Sequence, residues 1–155
     1  MAQEIERKFL VDPAKLPSLP LGYTIKQGYI AASDATVRVR IRDDKAFLTL
    51  KGRAKGITRS EFEYPIPLKD AKAILSELCI HPFIHKTRYL IEHEGHTWEL
   101  DIFEGENEGL IVAEIELESE SEPFSKPDWV TQEVSNDPRY RNAYLVHHPF
   151  LSWDN

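Results

Sequence analysis

Charged residues recur at every second position of the first strand-like stretch of the chain, residues 4–8. Alternate side chains of an extended strand point to the same face, so Glu4, Glu6 and Lys8 share one face. Two neighbouring carboxylates suit a hard divalent cation that prefers oxygen ligands, and an ammonium group suits a phosphate oxygen. A single stretch of this kind is also typical of a solvated sheet edge. It becomes informative because the alternation recurs along the chain.

The later strand-like stretches continue the same alternation of charges. The face that carries them holds the basic residues Arg38, Arg40, Lys51, Lys86 and Arg88 and the acidic residues Glu61, Glu63, Glu99, Asp101, Glu114 and Glu116. The opposite face is apolar, from Val37 and Val39 to Ile115 and Leu117. A solvated sheet face normally mixes in Ser, Thr, Asn and Gln, whereas these charged positions are nearly unbroken. The spacing predicts a sheet with one charged face and one apolar face.

About eight strands and one main helix must position these charges. The helix is predicted from apolar residues at helical spacing, namely Leu68, Ala71, Ile74, Leu75 and Leu78. Residues 139–146 are predicted as a short terminal helix, because Asp137 and Pro138 form a typical helix start. Gly28, inside a strand, is predicted as a bulge or a point of close approach. The fold class is therefore β-rich α+β.

A closed barrel of about eight strands would give the charged face a function, because closure removes sheet edges and one face then lines a lumen. The usual barrel would be inverted, with the apolar side packed outward under helices and loops. Unpaired charges away from water are costly, so such a lumen needs a ligand that carries both signs. A polyphosphate bound to Mg²⁺ or Mn²⁺ is a ligand of this kind.

Composition limits the other classes of function. The 155 residues are most simply one domain, and 41% hydrophobic with 29% charged residues is typical of a globular protein. A net charge of -7 argues against nucleic acid as a partner of the general surface. The single cysteine, Cys79, excludes an internal disulfide and a cysteine-rich zinc cluster. The polar start and the lack of a long apolar run predict a cytoplasmic protein without a membrane partner.

The ordered series of charges resembles a known family. Residues 4–8 match the Glu-x-Glu-x-Lys signature of the CYTH superfamily, the triphosphate tunnel metalloenzymes. The likeness continues in the family's order through Gln27-Gly28-Tyr29, Arg38-x-Arg40, Leu50-Lys51, Glu61-x-Glu63, Lys86-Thr87-Arg88, Glu99-Leu100-Asp101, Glu114-x-Glu116 and Asp137-x-Arg139-Tyr140-x-Asn142. The resemblance implies a closed eight-stranded antiparallel β-barrel, a tunnel with a few peripheral helices, formed by a single domain over residues 1–155.

The resemblance also implies roles for the charged residues. Phosphate binding falls to Lys8, Arg38, Arg40, Lys51 and Arg88, and metal binding, with Mg²⁺ or Mn²⁺, to Glu4, Glu6, Asp101, Glu114 and Glu116. The predicted catalytic residues are Glu61, Glu63 and Lys86. Glu61 and Glu63 complete a second metal site or position the attacking water, and Lys86 is a candidate for activating that water. A lysine crowded by other cations can have a lowered pKa.

The activity implied by the resemblance is metal-dependent hydrolysis of a triphosphate, most like the compact bacterial tripolyphosphatases, which release phosphate and diphosphate. Two enzymatic alternatives remain open, a class IV-type adenylate cyclase and a thiamine triphosphatase, as does a non-catalytic polyphosphate-binding module. Arg42, Glu99 and Glu118 lie near predicted strand ends and are expected to be solvated. A homodimer is compatible with the resemblance, although no stretch of the sequence requires one.

Overall fold

The structure, a computed structural model, describes residues 3–153. Nine β-strands and two α-helices make up most of this range. The strands are β1 Gln3–Val11, β2 Tyr23–Ile30, β3 Thr36–Arg42, β4 Lys45–Lys51, β5 Thr58–Ile66, β6 Ile84–His93, β7 His96–Phe103, β8 Ile111–Glu116 and β9 Val130–Glu133. The helices are α1 Leu68–Glu77 and α2 Asn142–Leu145. Single 3-10 turns cover Pro13–Lys15, Gly105–Asn107, Pro138–Tyr140 and Phe150–Ser152. No helix in the described range has the length and apolar character needed to span a bilayer.

Eight of these strands close into an antiparallel barrel. Their order around the wall is β5-β4-β3-β2-β6-β7-β8-β1, and the pairing of β1 with β5 completes the ring. The closing register places Glu4 opposite Arg59. This confirms the β-rich α+β class and the eight-stranded barrel predicted from the sequence. The sequence did not predict β9, which pairs with β1 at Val11 and Val130.

The main hydrophobic core lies outside the barrel wall. Because side chains alternate along each strand, the apolar face packs outward under loops and α1, while the charged face points inward. One outer cluster joins β1, β7 and β8 around Phe9, Trp98 and Trp129. Another joins β3 and β4 to α1 through Val39, Ala46, Ala71, Leu75 and Cys79. The barrel is therefore inverted, as the alternation predicts.

Helix α1 packs closely on β2 at Gly28. A Cβ atom at this position would lie 2.8 Å from Cδ2 of Leu75 and 2.9 Å from Cβ of Cys79, closer than atoms approach without a shift. The predicted close approach at Gly28 is confirmed, and its partner is the helix.

The C-terminal segment, residues 134–153, covers the inner face at one end of the barrel. Leu145 and Val146 pack there with Ile84, Phe103 and Val112. At this end the inward positions are apolar, whereas the positions two residues along, such as Lys86 and Glu114, are charged.

The predicted terminal helix over residues 139–146 is wrong in its extent. Asp137 starts a helical turn as predicted, its carboxylate accepting from the backbone N–H of Arg139 at 3.1 Å. Arg141 is extended, with φ -75° and ψ 137°, and separates this turn from α2. The Tyr140 carbonyl, which would continue a helix, instead accepts a hydrogen bond from Nζ of Lys8 at 2.9 Å.

Candidate active site

The inner face of the barrel encloses a cavity of about 540 Å³. Its wall brings together both signs of charge: Lys8, Arg38, Arg40, Lys51, Lys86 and Arg88 with Glu4, Glu6, Glu61, Glu63, Glu114 and Glu116. Of the residues predicted for the site, Asp101 alone does not line the cavity, and it is fully buried. These charged residues come from alternate positions of six strands and line one cavity, because closure turns a sheet face into a lumen.

Asp101 is held between two cations of β6. Arg88 lies directly opposite Asp101 in the register of β6 and β7 and donates from Nε to Oδ1 at 2.8 Å and from Nη2 to Oδ2 at 2.9 Å. Nζ of Lys86 lies 2.7 Å from Oδ2. Burial alone raises the pKa of Asp101, but Arg88 and Lys86 outweigh burial, and the pKa lies below its ordinary value. Asp101 is therefore an ionised counter-ion with both oxygens engaged.

Lys86 is a buried amine whose pKa lies close to neutral pH. Nζ donates to Oδ1 of Asn142 at 2.8 Å in addition to its contact with Asp101. Burial lowers the pKa of Lys86 to about 7; Asp101 opposes this effect, and the cations Arg88 and Arg40 add to it. Near neutral pH, Lys86 therefore populates both the ammonium and the neutral amine.

Strand β3 contributes both arginines of the predicted Arg38-x-Arg40 pair to the cavity wall. Arg38 donates from Nη2 to Oγ1 of Thr49 at 3.2 Å and lies 3.7 Å from a carboxylate oxygen of Glu63. Arg40 donates from Nε to Oε1 of Gln27 at 2.7 Å. Burial, with the neighbouring cations Arg38 and Arg88, lowers the pKa of Arg40 to about 10. The guanidinium groups of Arg38 and Arg88 therefore repel that of Arg40.

Lys51 lies between two carboxylates near the β1–β5 closure. Nζ is 3.0 Å from Oε2 of Glu4 and 3.3 Å from Oε2 of Glu61. Burial alone lowers the pKa of Lys51, but the neighbouring carboxylates outweigh burial and raise it. Burial raises the pKa of Glu4, Lys51 opposes this rise, and a hydrogen bond with Glu61 adds to it.

Glu6 and Glu114 form a close pair of carboxyl groups across β1 and β8. Burial, together with the carboxylate of Glu114, raises the pKa of Glu6 well above its ordinary value. Burial alone would also raise the pKa of Glu114, but Lys8, the hydrogen bond with Glu6 and Arg88 lower it well below its ordinary value. The opposite shifts mean that Glu6 holds a proton more tightly than Glu114 does.

The acidic part of the cavity fits a divalent cation by its donor chemistry. Within residues 3–153, no three His, Cys, Asp or Glu side chains already converge as a complete metal shell. Glu6 with Glu114 and Glu4 with Glu61 are nevertheless close carboxyl pairs. Pairs of this kind are stabilised by a proton or by a cation, and hard divalent cations prefer carboxylate oxygens.

Several uncharged or basic residues of the cavity wall were not assigned a role from the sequence, among them Arg59, Gln27 and Asn142. Arg59 lines the cavity and continues the alternation of Glu61 and Glu63, so its spacing was a usable signal. Gln27 and Asn142 also line the cavity and hydrogen-bond to each other, with 3.0 Å between Nε2 and Oδ1. Asn142 lies outside the sheet, so strand periodicity carries no signal for it.

Glu99, expected to be solvated near a strand end, is half-buried and lines the cavity, whereas Arg42, which also lines the cavity, is exposed at the end of β3 as expected. Glu99 lies opposite Glu114 in the β7–β8 register, well inside the wall, and its carboxylate is 3.2 Å from Arg88. The guanidinium of Arg42 stacks 5.6 Å from the ring centre of Tyr23 and 5.3 Å from that of Phe47. Glu118 is exposed, as expected.

Two curated relatives match almost the entire chain. The inorganic triphosphatase of Acetivibrio thermocellus is 51% identical over 154 residues, which cover 99% of this chain and 99% of the relative. The inorganic triphosphatase of Nitrosomonas europaea is 34% identical over 151 residues, 92% of this chain and 96% of the relative.

Structural comparison agrees with these matches. The solved structure of the inorganic triphosphatase NE1496 superposes with a TM-score of 0.67 at 31% identity, covering 92% of this chain and 96% of that chain. The model of the CYTH domain matches residues 2–144. The chain therefore belongs to the CYTH domain family.

Proposed function

We propose that this protein hydrolyses inorganic triphosphate to diphosphate and phosphate inside the barrel, with a divalent cation. The observation that carries the proposal is a single cavity lined by opposed cationic and acidic groups, which is complementary to a metal-bound polyphosphate. The relatives named inorganic triphosphatase, which match nearly the full length of the chain, support the same substrate.

In this proposal the basic residues hold the phosphates. Arg38, Arg40 and Arg88 offer planar forks suited to phosphoryl oxygens, and Lys8 and Lys51 add compact charges. An anionic substrate relieves the repulsion among these cations, so its binding is favoured by the charges that burial brings together. In the loose transition state of phosphoryl transfer, fixed cations stabilise the charge on the equatorial and leaving oxygens.

We assign metal binding to Glu4, Glu6, Glu114 and Glu116, with Mg²⁺ or Mn²⁺ as the ion. A bound divalent cation polarises phosphoryl oxygens and neutralises part of their charge. Glu61 and Glu63, which also contact Lys51 and Arg38, support a second ion or orient the attacking water. We leave Asp101 out of the metal set, because both of its oxygens are engaged by Arg88 and Lys86.

Lys86 is our candidate for accepting a proton from the attacking water. A neutral amine has two N–H groups and one lone pair. Asp101 and Asn142 accept from Nζ at 2.7 and 2.8 Å, so the two N–H groups of the neutral form are both used. The lone pair is then free for a proton from the cavity. With a pKa of about 7, Lys86 is in its neutral form for much of the time at working pH.

The test of the proposed function is product analysis with purified protein. Inorganic triphosphate, ATP and thiamine triphosphate are compared at equal concentrations, each with Mg²⁺, Mn²⁺ or a chelator. We expect rapid release of one phosphate and one diphosphate per triphosphate, dependent on the metal, and much slower release from the organic substrates.

The other outcomes decide between the alternatives. Formation of cyclic AMP would identify ATP as the substrate in place of inorganic triphosphate. Preferred cleavage of thiamine triphosphate would identify that compound as the substrate. Tight binding without phosphate release in any metal would favour the binding module. The homodimer and the cytoplasmic location stay predictions; sedimentation of the purified protein decides the first and cell fractionation the second.

A further inference from the structure

Two uncharged side chains, the buried Gln27 and the half-buried Asn142, connect two cations of the cavity wall. Gln27 on β2 accepts from Nε of Arg40 at 2.7 Å through Oε1. Its Nε2 donates to Oδ1 of Asn142 at 3.0 Å, and the same Oδ1 accepts from Nζ of Lys86 at 2.8 Å. Arg40 on β3 and Lys86 on β6 are thus joined through an amide pair, here called the amide relay, formed by Gln27 and Asn142.

The direction of every hydrogen bond in the amide relay is fixed by chemistry. Arginine and the lysine ammonium can only donate, so each must face an amide oxygen. Once Oε1 of Gln27 faces Arg40, Nε2 must face Asn142, and the oxygen of Asn142 is also required by Lys86. A second contact of Nε2, with Oη of Tyr29 at 3.0 Å, uses the other N–H of Gln27. Rotating either amide by 180° would place two hydrogen-bond donors, or two acceptors, against each other.

The amide relay orients the cations without cancelling their charge. Arg88 is held by the carboxylate of Asp101, which uses its Nε and one terminal nitrogen. Arg40, held by a neutral amide through Nε alone, makes no other side-chain hydrogen bond to residues 3–153. Its two terminal nitrogens therefore keep both their charge and their geometry for a ligand.

We infer that Gln27 and Asn142 are positioning residues for triphosphate binding, because they hold Arg40 and Lys86 in one arrangement through neutral amides. This inference rests on the proposed function of the same cavity. It makes the C-terminal segment part of the site, since Asn142 lies in α2 and the carbonyl of Tyr140 in the same segment holds Lys8.

Isosteric substitutions test the amide relay. Asn142→Asp keeps an oxygen acceptor for Lys86 but adds a negative charge, and Gln27→Glu does the same beside Arg40. We expect each to raise the KM for inorganic triphosphate by about tenfold or more, because the added carboxylate offsets the charge of the neighbouring cation and repels the anionic substrate. Asn136→Asp is the matched control, because Asn136 is exposed in the same segment and does not line the cavity. Its KM should stay within about twofold.

A double-substitution cycle tests whether the two amides act together. Gln27→Ala, Asn142→Ala and the double variant are compared by KM, kcat and melting temperature. If the amides form one relay, the double variant should lose little more than the more damaging single variant. Fully additive losses, or an unchanged KM in a folded Asn142→Asp variant, would overturn the inference.

Calorimetric binding of inorganic triphosphate in the presence of a chelator separates this inference from the proposed function. Weaker binding by Asn142→Asp and Gln27→Glu, but not by Asn136→Asp, supports the relay even if the wild-type protein shows no turnover. In that case the proposed hydrolysis alone fails. Equal binding by all four proteins overturns the relay, and a wild-type protein that neither binds nor hydrolyses overturns both.

Discussion

Asp101 does not line the cavity, but it is the shared counter-ion of two buried cations that do, Arg88 and Lys86. Its carboxylate takes three close contacts from Arg88 and Lys86, and its side chain has no solvent exposure. Removing a shared counter-ion leaves two buried cations unpaired. This is strongly unfavourable, because the counter-ion had offset the cost of taking each cation out of water. Asp101 therefore contributes to the stability of the fold in a way that the acidic residues of the cavity wall do not.

Replacing Asp101 with Asn should lower the free energy of unfolding by about 3 kcal/mol or more, the usual loss when one partner of a buried ion pair is removed. Urea unfolding of the metal-free protein measures this. Glu116→Gln is the control: burial and neighbouring carboxylates raise the pKa of Glu116, so removing its charge should leave stability unchanged or slightly higher. Equal losses in the two variants would contradict the role of Asp101 as counter-ion.

The pH dependence of turnover should report Lys86. Its pKa of about 7 means that the free enzyme carries the ammonium below this pH and the neutral amine above it. If the neutral amine accepts the proton, kcat/KM for inorganic triphosphate rises as pH increases through about 7 and then levels off.

Lys86→Arg separates the charge of this position from its basicity, because arginine stays protonated. We expect kcat to fall by about 100-fold or more, the usual contribution of general base catalysis, with a smaller change in KM. A variant that keeps its kcat, with the same pH profile as the wild type, would rule out Lys86 as the base.

For single residues, the sequence predicted which side chains share the inner face of the barrel, but not which opposite charges form ion pairs. The period of two places Glu4, Glu6, Arg38 and Lys86 on one face whatever the barrel looks like. The pairing of Asp101 with Arg88 depends on the β6–β7 register, which the sequence pattern alone leaves open. Asn142 belongs to no periodic element, so only the folded chain brings it beside Lys86.

Among the elements, α1 shows how the outer face supports the barrel. The helix buries Ala71 and Leu75 against β3 and β4, and it can approach β2 because Gly28 has no side chain. Helix α1 was predicted from its own sequence, because five apolar residues follow helical spacing. Strand β9 was missed because four residues with three exposed side chains carry no clear alternation.

Gly28→Ala should push α1 away from the barrel wall. The added methyl group would overlap Leu75 and Cys79, and overpacking of this kind costs about 1 to 3 kcal/mol of unfolding free energy. Chemical denaturation checks this value. Adding Leu75→Ala to Gly28→Ala should cost less than Leu75→Ala costs alone, because each change makes room for the other. Simple additivity would show that the two residues do not compete for the same space.

As a whole, the molecule is acidic and yet encloses a cluster of cations. Its net charge is -7, while six lysine and arginine side chains predicted for the site line one cavity. On the acidic side of that cavity, burial and the carboxylate of Glu114 raise the pKa of Glu6 well above its ordinary value. A divalent cation bound by Glu6 and Glu114 would offset the repulsion between their carboxylates, so metal binding and stability should be linked.

Addition of Mg²⁺ or Mn²⁺ should raise the melting temperature of the protein. At about 100 times the dissociation constant, one bound ion adds about 2.7 kcal/mol to the stability of the folded state. Thermal unfolding with increasing metal, compared with the Glu6→Gln variant, measures the effect. A wild-type protein that responds no more than Glu6→Gln would remove Glu6 from the metal site.

The central claim is that one charged lumen holds both the cation and the triphosphate. Anomalous diffraction from crystals of the Lys86→Arg variant, grown with Mn²⁺ and inorganic triphosphate, tests it most directly. The account predicts a manganese peak beside Glu6 and Glu114, with phosphate density between this peak and the guanidinium groups of Arg38 and Arg40. Manganese or triphosphate bound only on the outer surface of the barrel would contradict it.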